Sequence, residues 1–206
     1  MINRGEDGDT LDRFLASRYD EYVAGQPPFD FIFTRYGLND IHYAKDFKAE
    51  YPANYKRLIS RLRADHPRAE IVLETVIPYY GEERDKIINE QVRAIAKREQ
   101  VPLLDQYASY AAALVNGPNM LSCHRLPLAE IPPKYRTLVP PEAIREDSPM
   151  GGDVVYILDN LLDVHLAKVP GWFKDRHPNQ AGYQVIGAQL AKYLAPRIRK
   201  RINAAN

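Results

Sequence analysis

The amino-acid sequence predicts a doubly wound α/β fold built on a parallel sheet. Short apolar runs with strand preference alternate with stretches whose apolar residues recur at helical spacing. The 206 residues are 45% hydrophobic, which suits one domain over 1–206 with a sizeable core. The strongest strand signal, Phe31-Ile32-Phe33, runs into Gly37 and the polar pair Asn39-Asp40. In an open parallel sheet, a polar turn at the carboxyl end of a buried strand is where ligands bind.

Taken in order, a trace of strand at Met1 to Asn3 gives way to a loop holding Gly5 and Gly8. Asp9 or Thr10 can cap a helix whose Leu11, Phe14, Leu15, Tyr19, Tyr22 and Val23 share one face. Pro27-Pro28 stops it ahead of the Phe31 strand. Beyond Pro52 a second helix turns Tyr55, Leu58, Ile59 and Leu62 inward and ends at His66-Pro67. Glu70 to Val76 reads as the next strand, Arg84 to Gln100 as a helix, Val101 to Asp105 as a short strand and Tyr107 to Val115 as a helix. A last helix, Ala181 to Ile202, carries Val185, Ile186, Leu190 and Leu194 at helical spacing.

Residues 117–171 break this rhythm. They hold eight of the 16 prolines, so most of the segment is expected to be irregular. One helix is predicted inside it, over Asp153 to Val169, from the spacing of Val154, Ile157, Leu158, Leu161, Leu162 and Val164. Such an insertion before the last helix is either a lid or pocket wall, or a surface elaboration with a small core of its own.

Several function classes are excluded. The net charge of +1, with acids and bases interspersed, gives no footprint for nucleic acid or an anionic membrane. Cys123 is the single cysteine, which rules out an internal disulfide or a thiolate metal cage, and His42, His66, His124 and His165 lack metal-ligand spacing. No apolar run approaches the ~20 residues of a membrane span. No Gly-rich loop joins a strand to a helix, which argues against a nucleotide binder.

Three motifs occur in a telling order: Asn-Arg-Gly-x-x-Gly-Asp-Thr at Asn3 to Thr10, Gly-x-Asn-Asp at Gly37 to Asp40, and Asp-x-His-Pro-Asn at Asp175 to Asn179 before the last helix. Together they resemble the SGNH hydrolases (GDSL esterases and lipases) over nearly the whole chain outside 117–171. The resemblance implies a flavodoxin-like three-layer α/β/α sandwich. It also implies carboxylic ester hydrolysis through a serine acyl-enzyme without cofactor, on small-molecule or carbohydrate esters, O-acetyl groups foremost. By motif, Gly8 and Asn39 supply oxyanion donors and His177 is the general base, the three gathering about one reacting centre above the sheet.

Two departures from the family pattern stand out. The Gly-Asp-Ser nucleophile segment and the first strand that carries it are absent. Thr10 in Gly-Asp-Thr is no substitute, because no apolar strand precedes it, and Ser17, Ser60, Ser109, Ser122 and Ser148 lack a nucleophile context. The chain as written is therefore expected to be inactive, its sequence begun late and its sheet short of an internal strand. On that account the polar N-terminus says nothing about a signal peptide or compartment. The alternative is a non-catalytic carbohydrate-binding relative of the same fold. The second departure is Lys174, which stands three places before His177 where the family has its acid, so orientation of the imidazole falls to Asp175 or to a backbone carbonyl.

Overall fold

The computed structural model describes residues 2–114, 121–146 and 152–205. The chain forms two units, residues 1–107 and 108–206. In the first, Thr10 caps helix α1 (Leu11–Ser17), its hydroxyl accepting from the Arg13 N–H. A wider helical turn, Asp20–Ala24, continues the same apolar face. Strand β1 (Phe31–Thr34), the short helix α2 (Asp40–Tyr43), α3 (Phe47–Asp65), β2 (Glu70–Glu74), α4 (Glu82–Glu99) and β3 (Leu103–Leu104) follow. The strands pair in the order β1-β2-β3, all parallel, with Phe33 opposite Val72 and Leu73 opposite Leu103. Parallel neighbours need long crossovers, and α3 and α4 supply them. Leu11 and Phe14 of α1, Tyr55, Leu58 and Ile59 of α3, and Ile88 and Val92 of α4 join Ile71 and Leu73 in one core. This is the α/β arrangement that the alternating pattern predicts.

Two boundaries differ from the sequence reading. Helix α3 begins at Phe47, ahead of Pro52, because Asp46 caps it through the Ala49 N–H while Glu50 accepts from the Asp46 N–H. Phe47 then stacks on the buried Tyr51 with ring centres 4.6 Å apart, one turn ahead of the hydrogen bond that Pro52 cannot donate. Ile2 and Asn3 are irregular rather than extended strand, and Met1 lies outside the described residues.

Helix α5 (Gln106–Ala113), most of which belongs to the second unit, is the helix predicted from Tyr107, although Val115 lies outside the described residues. Strand β4 (His124–Pro127), the short helix α6 (Pro133–Arg136), β5 (Ile144–Arg145), β6 (Val154–Ile157), α7 (Asp163–Leu166) and the long final helix α8 (Gln180–Ala205) follow. The Pro-rich segment is thus more ordered than its composition suggests. It builds an antiparallel sheet, β4-β6-β5, over a core of Leu126, Ile131, Val139, Val155, Ile157, Leu166 and Trp172. Gly117, Pro118, Ser148 and Pro149 lie outside the described residues.

The helix predicted over Asp153 to Val169 is not formed. Val154, Val155 and Ile157 are buried in β6, paired with β4, and only Asp163–Leu166 is helical. A helix would have buried Leu161 and Val164, yet they are 77% and 81% exposed. The β-branched run Val154-Val155-Tyr156-Ile157 favours the pleated, half-buried surface that two neighbouring strands offer it.

Candidate active site

The turn after β1 is fixed by sterics and by a buried carboxylate. Gly37 has φ +132°, and a Cβ there would lie 2.4 Å from Ile88 Cγ2 and 3.0 Å from Tyr51 Oη, so only glycine fits. Tyr51 Oη donates to the Tyr36 carbonyl at 2.6 Å. Asp40 is buried and accepts two backbone N–H bonds, from Gly37 at 2.9 Å and from Leu11 at 2.8 Å. Burial pushes the Asp40 carboxyl above the ordinary carboxylate range, against the pull of those two donors. One carboxylate therefore ties the turn to the start of α1.

A second tie brings predicted site residues together. Asn39 Nδ2 donates to the Asp9 carbonyl at 2.9 Å, so Asn39 sits against the Asp9–Thr10 peptide, one residue beyond Gly8. Gly8 is exposed with φ +72°, and nothing lies within 4 Å of where its Cβ would be, so backbone conformation alone asks for glycine there. Asp9 pairs with Arg18 and accepts from Tyr36 Oη at 3.4 Å. Thr10 is buried, its hydroxyl engaged in capping α1. An open cavity of about 520 Å³ is lined by Ile41 of α2 and by Tyr80, Arg84 and Ile87 around the start of α4.

In the second unit, the loop Lys174–Pro178 carries Asp175 and His177. Asp175 Oδ1 lies 2.6 Å from His177 Nδ1 and accepts the His177 backbone N–H at 2.8 Å. Its other oxygen accepts from Arg125 Nε at 2.7 Å. Arg125 also brings Nη2 to 3.1 Å from His177 Nδ1. A guanidinium can only donate and a carboxylate only accept. The shorter contact, to the carboxylate, makes Nδ1 the protonated nitrogen. Burial alone would raise the Asp175 pKa, but the His177 side-chain and backbone hydrogen bonds, with the charges of His177 and Arg125, hold it down at about 2. The His177 ring is one-third exposed while Asp175 is buried beneath it. The His177 carbonyl accepts from the Cys123 N–H at 2.8 Å, pinning the loop to the lead-in of β4.

Arg125 and Asp40 were not singled out from sequence. Arg125 follows the buried His124 on a strand, and period-2 alternation turns it to the opposite face. In the folded sheet it lies on the face opposite His124, and nothing in the sequence pairs it with Asp175. Among the described residues, no three His, Cys, Asp or Glu side chains cluster as metal ligands, and no helix is long and apolar enough to cross a membrane.

The model of the GDSL-like lipase/acylhydrolase family matches residues 1–126 of this chain. The chain belongs to that family. Solved structures similar to this GDSL-like chain include a carbohydrate esterase of family 3 from Talaromyces cellulolyticus, 17% identical, with a TM-score of 0.57 over 95% of this chain and 71% of that one. An acetylxylan esterase from Geobacillus stearothermophilus is 18% identical, with a TM-score of 0.54 over 93% of this chain and 70% of that one. A protein described as a GDSL-like lipase from Parabacteroides merdae is 18% identical, with a TM-score of 0.48 over 57% of this chain, and the chain spans only 59% of its length. At these identities the likeness is one of fold. No curated protein matches the chain.

Proposed function

We propose that this GDSL-like chain carries the oxyanion donors and the general base of a serine-dependent carboxylic ester hydrolase, with O-acetyl groups on carbohydrates as its substrates. The observation that carries the reading is the Asp175–His177 pair, whose 2.6 Å contact selects the tautomer a general base needs. In that role Nε2 takes the proton of an attacking serine hydroxyl and later returns it to the leaving alcohol, and the acyl-enzyme is then hydrolysed. Asp175 orients the imidazole and stabilises the imidazolium. The Gly8 N–H and the Asn39 amide stabilise the oxyanion that develops as the carbonyl is attacked. An amide NH₂ carries two donors, so the bond to Asp9 leaves Asn39 a second one for this task. Carbohydrate esters are favoured as substrates because two of the similar structures are a carbohydrate esterase and an acetylxylan esterase. The chemistry asks for no cofactor.

The nucleophile in this reading is a serine on a Gly-Asp-Ser strand that the 206 residues do not contain. Ser17 Oγ is spent on the Arg13 carbonyl and Ser122 is buried. The test compares turnover of 4-nitrophenyl acetate by the 206-residue chain with that by a version extended N-terminally with an apolar strand ending in Gly-Asp-Ser. The first is expected to be silent and the second active, with activity lost on His177→Ala. A folded, extended protein indifferent to His177→Ala would refute the assignment, as would turnover by the 206-residue chain that vanishes on Thr10→Ala. The lack of a serine in a nucleophile context also favours a second reading, a non-catalytic carbohydrate-binding relative. An in-frame stop codon directly ahead of Met1 in the genomic DNA would favour that second reading over the enzyme.

A further inference from the structure

At both ends of the His177 loop lies a partly buried polar network that the ester chemistry does not use directly. Its hub is Asp163, at the start of α7. One carboxylate oxygen accepts from Trp172 Nε1 at 2.7 Å and faces His124 Nε2 at 2.9 Å. The other accepts from Asn160 Nδ2 at 3.0 Å. His124, fully buried, turns its second ring nitrogen to the Trp172 carbonyl at 3.0 Å and stacks on the indole with ring centres 4.3 Å apart. Asn160 Oδ1 in turn accepts from Asn179 Nδ2 at 2.9 Å, and Asn179 Oδ1 accepts the Gly182 N–H at 3.0 Å.

The placement of these residues in the chain matters more than their number. Trp172 stands just before the loop that holds Asp175 and His177, and Asn179 just after it. Both ends of the loop are thereby fastened to Asp163, one directly and one through Asn160. A third tie runs through β4, where His124 belongs to the network and the next residue, Arg125, grips Asp175. Buried polar groups cost free energy unless paired, and a fully paired network rigidifies what it touches.

We infer that Asp163 and Asn160 are positioning residues that hold the Asp175–His177 pair in register without meeting the substrate. The inference rests on the proposed role of His177, and its test is independent of ester turnover. The measurement is the solvent-exchange rate of the His177 Nδ1–H in the 206-residue chain labelled with ¹⁵N-histidine, the resonance being assigned by its loss in His177→Gln. Asp163→Asn and Asn160→Ala are expected to speed that exchange by roughly tenfold or more, the effect of about 1.4 kcal/mol on a local opening equilibrium. Leu161→Ala, on the exposed side of the same turn, should leave it unchanged. Asn160→Asp, which keeps an acceptor for Asn179 but sets a second carboxylate against Asp163, should leave the exchange fast.

A network that serves only the small core would lower unfolding stability in these variants and leave the exchange rate as in the parent chain. That result overturns the inference. Should Asp163→Asn fail to fold, Asn160→Ala decides alone, since it leaves the Asp163 bonds to Trp172 and His124 in place. An extended enzyme indifferent to His177→Ala would sink the esterase reading while leaving the exchange result intact, so the two failures are distinguishable.

Discussion

The side-chain amide of Asn39 donates to the backbone carbonyl of Asp9, across thirty positions of sequence, at 2.9 Å. That bond joins the turn after β1 to the glycine block before α1. Beside it, the Asp40 carboxylate makes a second join through Leu11. Two neighbouring residues thus do different work: Asp40 builds the junction from inside, and Asn39 is half exposed with an amide proton to offer.

Asn39→Ala should therefore be worse for catalysis than for folding. In a version of the chain extended with the nucleophile strand, loss of the proposed oxyanion donor is expected to cost about 2.7–4 kcal/mol in the barrier, or roughly 10²–10³ in kcat. The lost bond to Asp9 should cost only about 1 kcal/mol in stability. Steady-state kinetics and urea unfolding on the same pair of proteins check both, and equal losses in the two would contradict the division.

Asp175 makes a definite pH prediction. Its carboxyl is held at about 2 against an ordinary 3.8, so the folded state favours the charged form. The stability this contributes is complete above the ordinary value and is lost as pH falls through the folded one. For a buried group, a shift of this size corresponds to about 2 kcal/mol. The gap in unfolding free energy between the parent chain and Asp175→Asn should be wide near about pH 5 and close by that amount toward about pH 2. A gap independent of pH would show that the carboxylate is not held in this way.

Gly37→Ala should cost about 2–4 kcal/mol, combining a left-handed φ with overpacking against Ile88 and Tyr51. Gly8→Ala meets the φ strain alone, since nothing crowds that position, and should cost about 1–2 kcal/mol. The ranking, read from urea midpoints, is the test. A Gly8 variant as unstable as the Gly37 variant would refute it.

Burial, and then the neighbouring Asp175 carboxylate, push the Cys123 thiol up to about 12. At about pH 8 only ~10⁻⁴ of it would be thiolate, the reactive form. The native chain should react with Ellman's reagent far more slowly than the urea-unfolded chain. Comparable rates would mean that the lead-in to β4 opens freely.

The fold was legible where local signals agree with long-range packing. Phe31-Ile32-Phe33 reads as a strand and folds as one, and of the two cap candidates, Asp9 and Thr10, it is Thr10 that caps. The stretch from Asp153 to Val169 reads as a helix because its apolar residues satisfy a helical period, yet its first part folds as a strand. What decides its form is pairing with His124–Pro127, some thirty residues earlier, which no local window contains. Asn39, Asp175 and His177 could be nominated from motif order. Arg125 could not, since its partner lies fifty residues away and only the folded loop brings them to 2.7 Å.

Gly182 sits in the first turn of α8, where an added Cβ would fall 2.5 Å from Tyr110 Oη and 2.6 Å from the Leu121 carbonyl. The final helix is thus seated with its backbone close against the Leu121 carbonyl and the Tyr110 hydroxyl that donates to it. Because the Asn179 N–H also bonds the Leu121 carbonyl, neither piece can shift without the other. The histidine loop spans that joint like a handle riveted at both ends, and whatever loosens the seat of the helix loosens the handle with it.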